Sequence, residues 1–312
     1  MHKEADFGHS TRSQSFAFRT SFASLLFWLT LLTAAPLWSQ ASPHQPSLPE
    51  IEQRATEARE AKQFDEAVSL YREGLKLKPG WKEGSWYLGT SLYALKSYPE
   101  ARDAFRHLAI SQPGNAQAWA LAGMCEFELK SYDHALEYLL RSESAGYGEN
   151  KELAYLIRFR IALLLNRAGD SRKALDRLML IAAEGTYPEV IEALGLSLLR
   201  APLLPSEVPE QDRDLYVRAG EAMNAYTAHD TQDAARLFEE LVNTYPDRPN
   251  VHYALGAFLM ESAPDKALQE FLRELELNPS HTLALSQVAR LYLKQGDAQS
   301  AALCSPCGEG RS

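Results

Sequence analysis

The stretch KQFDEAVSLY (residues 62–71) decides the fold, because it returns twice at one fixed interval. KSYPEARDAF (residues 96–105) follows it by 34 residues, and KSYDHALEYL (residues 130–139) follows by another 34. A constant interval of this size indicates one small structural unit repeated along the chain. A single unit cannot bury its own apolar face, so neighbouring units must stack to form a continuous core.

The repeated positions have the residue types that close helix packing requires. A small residue lets two helices approach, a large apolar residue fills the space between units, and proline ends a helix because it lacks an N–H. The small residues are Ala67, Ala101, Ala135, Gly89 and Gly123, the large ones are Tyr71, Phe105 and Leu139, and the prolines are Pro79 and Pro113.

This pattern resembles the tetratricopeptide repeat, whose signature is an aromatic residue, then Leu-Gly and Tyr, and later Ala, Phe and a terminal Pro. The resemblance covers most of the chain. It implies an all-α fold, an α-solenoid of stacked antiparallel helix pairs with about six to eight units and a proline-rich interruption. A helical bundle of another type is the competing interpretation.

Further units follow downstream with interruptions, marked by Ala174, Ala234 and Ala267. The segment 201–213 contains three prolines, which forbid a regular helix there. The next helix, over about 214–227, is expected to pair better with its successor than with its predecessor. The sequence predicts a signal peptide (1–41), a linker (42–49), an N-terminal array (50–200), a proline-rich elbow (201–211), a C-terminal array (212–303) and a tail (304–312).

Residues 1–41 are typical of a secretory signal peptide. Arg12 and Arg19 precede an apolar run over residues 22–38, and the small residues Ser39 and Ala41 then provide a cleavage site. The run is nearly long enough to span a bilayer, so an uncleaved membrane anchor is the alternative. Both interpretations export the rest of the chain, and we expect a periplasmic or secreted protein of the exported bacterial type.

The charge of the chain argues against nucleic acid as a partner. Residues 1–41 hold three of the 32 basic and two of the 41 acidic residues, which leaves 29 basic and 39 acidic residues beyond them. An acidic chain without a basic cluster lacks the Lys and Arg side chains that track phosphates. We therefore expect no nucleic-acid partner. We also expect no membrane span once the signal peptide has been cleaved.

The sequence contains no motif for catalysis, metal or cofactor binding that we can recognise. Cys304 and Cys307 form a C-x-x-C pair, but they lack the context of a haem, zinc or thioredoxin-like site, so an inert tail or a local disulfide is expected. Cys125 is expected to be a buried apolar residue. His134 and His252 are expected to be solvated.

The resemblance implies where a partner would bind. In this family the first helix of each pair, helix A, lines a concave groove that holds an extended or helical peptide, and its fifth, ninth and twelfth residues face that groove. The alternative to groove-facing side chains is that they are buried in the core. We favour this alternative for Leu163 and Ala257. The groove residues expected in this chain are Trp86, Thr90, Tyr93, Met124, Phe127, Phe159, Asn166, Tyr253 and Met260, with Ala120 also at such a position.

These observations predict a non-enzymatic scaffold that binds a protein or peptide in its groove. The alternative is a fragment or an accessory subunit of a larger enzyme or assembly. The charged clamp of chaperone-binding relatives is not matched, because Arg59 and Asn166 are too isolated to form one. The incomplete last unit predicts that the apolar side of residues 283–303 is exposed or covered by a partner. The partner and the oligomeric state do not follow from the sequence.

Overall fold

The computed structural model describes residues 46–147, 150–185 and 187–303. These residues fold into helices that form antiparallel pairs, which confirms the predicted all-α solenoid. The α-helices are α1 (Leu48–Glu60), α2 (Phe64–Leu77), α3 (Lys82–Ala94), α4 (Tyr98–Ser111), α5 (Ala116–Glu128), α6 (Tyr132–Ala145), α7 (Lys151–Arg167), α8 (Ser171–Ala182), α9 (Pro188–Leu198), α10 (Arg213–Thr227), α11 (Thr231–Thr244), α12 (Val251–Leu259), α13 (Pro264–Leu277), α14 (Thr282–Lys294) and α15 (Ala298–Leu303).

The turn between the two helices of a pair has the same geometry in most units. At the end of α3, the N–H of Lys96 donates to the carbonyl of Tyr93, and the N–H of Ser97 donates to that of Leu92, both at 2.9 Å. Lys96 has a φ of 59°, in the left-handed region that this type of helix end requires. The same turn, with a positive φ, recurs at Lys62, Lys130, Gly169, Arg200, His229 and Gly296.

The repeated positions form the core, as the sequence predicts. Ala67, Ala101 and Ala135 are fully buried. In the second unit, a Cβ atom on Gly89 would lie 2.7 Å from the ring of Phe105, so glycine is what allows α3 to approach α4. The large residues Tyr71, Phe105, Leu139, Leu178, Phe238 and Phe271 are also buried, which continues the packing through the later units.

Helix α10 departs from the expected pairing. It packs on its successor α11, but its closest approach is to its predecessor α9. A Cβ atom on Gly195 would lie 1.8 Å from the carbonyl oxygen of Tyr216, and one on Gly220 would lie 1.8 Å from that of Ile191. Two facing glycines thus bring the backbones of α9 and α10 together.

The proline-rich segment between α9 and α10 folds back onto the array. It contains two short 3-10 turns, Pro205–Glu207 and Glu210–Asp212. Leu204 is buried against apolar residues of α7, α8 and α9, and Glu207 forms an ion pair with Arg167 at 3.0 Å. The elbow is therefore attached to the array through a few side chains, and only Leu204 and Val208 of residues 201–212 are buried.

The last described helices correct one expectation in part. The apolar side of α14 is buried against α13 through Val288 and Leu291, whereas Leu293 near the end of α14 and Leu303 in α15 are exposed. Within the described ranges, no helix is both long and apolar enough to cross a membrane. The predicted signal peptide and the tail with Cys304 and Cys307 lie outside the described residues, and the division into two arrays stays a prediction.

Candidate partner-binding site

The nine expected groove residues divide into two groups. Met124, Asn166 and Met260 are buried, at 8%, 2% and 9% exposure. The other six keep part of their surface in solvent, and they are Trp86, Thr90, Tyr93, Phe127, Phe159 and Tyr253. Of the two positions where we favoured core, Leu163 is buried, whereas Ala257 is exposed.

Asn166 is an anchor for the elbow and not a groove residue. Its side-chain Nδ2 donates to the carbonyl oxygens of Ala201 at 2.7 Å and Leu203 at 3.2 Å. Proline-containing extended segments have carbonyl groups without helical partners, so an amide that reaches two of them stabilises the segment. The expectation that Asn166 faces a partner is wrong because the chain's own elbow occupies this side chain.

Met260, Trp86 and Tyr253 also contribute to packing within the array. Met260 belongs to the apolar cluster between α12, α13 and α14. The ring of Trp86 lies edge-on to Phe105 at 5.7 Å, and that of Tyr253 stacks on His281 at 5.0 Å. These contacts assign Met260 to the core and leave Trp86 and Tyr253 only partly available.

The best-formed exposed cluster spans the first helices of three consecutive pairs. We call it the A-helix surface and define it as Tyr93 on α3, Phe127 and Glu128 on α5, and Phe159 and Arg160 on α7. The guanidinium carbon of Arg160 lies 4.2 Å above the centre of the Phe127 ring. In this cation–π arrangement the electron-rich face of the ring stabilises the positive charge. Tyr93 and Glu128 are near enough to raise the pKa of Arg160.

The electrostatics of this surface reflect partial burial. Burial lowers the pKa of Arg160, and the nearby Glu128 and Tyr93 offset this only in part. Burial, followed by the negative charge of Glu128, raises the pKa of Tyr93, so its hydroxyl is protonated at neutral pH. The surface thus presents the positive charge of Arg160, the negative charge of Glu128 and the neutral hydroxyl of Tyr93 beside aromatic rings.

Phe159 extends the aromatic surface toward α9. Its ring is parallel to that of Tyr155, with centres 6.0 Å apart, and Tyr155 contacts Tyr187 at 4.9 Å. The hydroxyl of Tyr155 donates to Glu189 on α9 at 2.8 Å. This contact fixes the rotamer of Tyr155 beneath Phe159.

Two groups of residues were not predicted from the sequence. Arg160 is the neighbour of an expected groove residue, and only its position over Phe127 distinguishes it from a solvated arginine. The second group lines a small apolar pocket in the later units and includes Met223, Tyr226 and Phe258. Counting back from Ala234 by the rule used for the other units would have found Met223 and Tyr226.

The structure also shows the surroundings of a cysteine and two histidines, residue types that can take part in catalysis or metal binding. Cys125 is buried, as expected, and burial raises the pKa of its thiol to about 12, which makes it a poor nucleophile at neutral pH. His134 is exposed, as expected. His252, expected to be solvated, is buried between the carboxylate of Glu270 at 2.6 Å and the carbonyl of Pro246 at 2.9 Å.

The fold and this surface define a helical-repeat protein whose exposed side chains are presented by successive first helices. The profile of the family described as "Tetratricopeptide repeat" matches residues 53–116, 88–150 and 219–282, so the chain belongs to this family. Proteins of this kind are protein–protein interaction scaffolds.

Known proteins are similar to this chain at low identity. The human protein O-mannosyl-transferase TMTC3 is 23% identical over 270 residues, which are 80% of this chain and 28% of that protein. The chain therefore spans under a third of this curated relative. Among solved structures, the TPR2AB domain of yeast Sti1 in a pHSP90 complex is 15% identical with a TM-score of 0.36, covering 82% of this chain and 87% of that one. A tetratricopeptide repeat protein from Parabacteroides merdae is 13% identical with a TM-score of 0.39, covering 82% and 90%.

Proposed function

We propose that this protein is a non-catalytic scaffold that binds a segment of a partner protein on the A-helix surface. The observation that carries the proposal is the row of half-buried aromatic side chains and one arginine that α3, α5 and α7 place side by side. Aromatic residues and arginine are the types that contribute most at protein interfaces. An extended or helical segment of a partner would lie across the three helices.

The proposal is tested by affinity capture with the protein as bait. A Tyr93→Ala/Phe127→Ala variant removes two rings from the A-helix surface. The matched control is Ile110→Ala/Leu180→Ala, because both residues are exposed and apolar but lie on the second helices of their pairs, α4 and α8. Both variants must first be as helical as the parent by circular dichroism.

The expected result is one set of proteins that the parent and the control retain and that the Tyr93→Ala/Phe127→Ala variant loses. Equal capture by all three forms would place the interaction elsewhere on the molecule. Loss with the control alone would assign it to the second helices.

We further propose that the protein is exported to the cell envelope or the medium. Support comes from the basic residues, apolar run and small residues over positions 12–41. The intact mass of the protein from fractionated cells tests this. Export with cleavage predicts a chain that begins at residue 42, an uncleaved anchor predicts the full mass in the membrane fraction, and full-length protein in the cytoplasm would refute export.

A second candidate function is an accessory component of a larger enzyme or assembly. It is favoured by the similarity to a part of the human protein named as an O-mannosyl-transferase, over 80% of this chain. Under this proposal, a catalytic protein would co-purify with the chain in a constant ratio through gel filtration. The absence of such a complex at native concentration would refute it.

A further inference from the structure

Arg160 differs from the other half-buried arginines in the described residues. Each of the others has a carboxylate within 4 Å: Arg59, Arg102, Arg158, Arg167, Arg177, Arg213, Arg218 and Arg248. Arg160 has no hydrogen bond or ion pair to any residue that the structure describes, and its guanidinium lies over the ring of Phe127. This exception occurs in a chain with a net charge of −9, in which carboxylates are abundant.

Leaving a half-buried guanidinium without an anion costs free energy. A stacked aromatic ring compensates for part of the charge but accepts no N–H. The edges of the guanidinium plane therefore keep their donors, in the planar arrangement that matches a carboxylate. The contact with the ring of Phe127 also restricts the Arg160 side chain, so less side-chain entropy is lost when an anion binds.

The neighbours of Arg160 add a second donor and a competitor. Tyr93 keeps its proton at neutral pH, and no hydrogen bond of its hydroxyl to another described residue is present, so it can donate to the same anion. Glu128 is exposed and lies near Arg160 without forming an ion pair with it. The negative charge of Glu128 is expected to weaken binding of an incoming carboxylate.

We propose that the A-helix surface recognises an aspartate or glutamate side chain of the partner segment, held by the guanidinium of Arg160 and the hydroxyl of Tyr93. The aromatic rings of Phe127 and Phe159 bind the apolar groups that flank this carboxylate. The inference rests on the proposed function, since it names the chemistry of the segment that this surface binds.

The test uses a library of random twelve-residue peptides displayed on phage, selected on the intact protein. Peptides that bind are expected to share an Asp or Glu next to an apolar or aromatic residue. Synthetic versions are then titrated against the parent, Arg160→Met, Arg160→Lys and Glu128→Gln. The matched control is Arg141→Met, because Arg141 also lies over an aromatic ring, Trp119 at 4.9 Å, but on α6 and paired with Glu137.

Arg160→Met is expected to weaken binding about tenfold or more, the usual loss for a charged hydrogen-bonded contact. Arg160→Lys should retain part of the affinity, Glu128→Gln should increase it, and Arg141→Met should leave it unchanged. Selected peptides without acidic residues, or equal binding by parent and Arg160→Met, would overturn the inference and leave the proposed function standing. Failure to select any peptide on this surface would overturn both.

Discussion

At the residue scale, three lysines occupy a backbone conformation that residues with a Cβ rarely adopt. Lys62, Lys96 and Lys130 end the first helix of their pairs with φ between 59° and 60°. Gly169 has the same place in the fourth pair, with a φ of 87°. The turn geometry is set by two hydrogen bonds to the preceding helix, and the unit tolerates the strain of a lysine there.

Replacing Lys96 by glycine is therefore expected to stabilise the array. Removing the Cβ relieves the left-handed strain, and the greater freedom of glycine in the unfolded chain offsets part of this, for a net gain of up to about 1 kcal/mol. Urea unfolding followed by circular dichroism measures it. The reverse change, Gly169→Ala, should destabilise by a similar amount, and a neutral result for both would refute the assignment of strain.

The role of Asn166 could not be predicted from the sequence. A polar amide on the exposed side of a first helix has the same appearance whether it faces a partner or the chain's own elbow. Only the fold of residues 201–203 against α7 decides between them. Arg160 was missed for the complementary reason, because an unpaired arginine cannot be recognised until its neighbours are known.

At the scale of elements, the elbow is held by few contacts, and its attachment to α7 can be tested. Asn166→Ala removes both hydrogen bonds to the elbow carbonyls, with an expected loss of about 1–3 kcal/mol for the two bonds together. Hydrogen exchange over residues 201–209 should increase, and proteases should cut there first. The control is Asn243→Ala, which removes an exposed amide from α11; equal exchange in both variants would show that Asn166 does not hold the elbow.

The crossing of α9 and α10 depends on two glycines. Gly195→Ala would place a methyl group against the backbone of Tyr216, which cannot rotate away, so the expected loss is at or above the upper end of about 1–3 kcal/mol. Gly80→Ala is the matched control, since a Cβ there meets nothing within 4 Å. The midpoint of urea unfolding compares the two. A Gly195→Ala protein as stable as the control would contradict the close crossing.

An ion pair between α6 and α8 should make stability depend on pH. Arg177 donates to both oxygens of Glu143, at 2.8 and 3.0 Å, and this hydrogen bonding lowers the pKa of Glu143. Because the folded-state pKa lies below the unfolded value of about 4.3, the stabilisation is complete above that pH. It is lost as the pH falls through the lower, folded-state pKa.

Glu143→Gln should therefore be less stable than the parent at pH 7, and the difference should shrink as the pH falls below about 4. Thermal unfolding at a series of pH values measures both effects. A difference that stays constant from neutral to acidic pH would show that the charge of Glu143 does not contribute.

At the scale of the whole molecule, the regular part of the fold follows from the sequence because one short pattern repeats. Ala101, Phe105 and Gly89 each have one mechanical role, and the interval between copies fixes the order of the helices. The α9–α10 crossing did not follow, because Gly195 and Gly220 are separated by a proline-rich segment whose path the repeat pattern does not determine. The surface proposed for binding follows from the sequence only in outline: Tyr93, Phe127 and Phe159 are partly exposed, whereas Met124 and Met260 are core.

The central claim is that the partner segment lies across α3, α5 and α7. Hydroxyl-radical footprinting of the protein, with and without a captured partner or selected peptide, tests this most directly because it reports the exposure of individual side chains. We expect protection of Tyr93, Phe127 and Phe159 and unchanged labelling of Ile110 and Leu180 on the second helices. Protection of Ile110 and Leu180, with the three aromatic residues labelled as in the free protein, would contradict it.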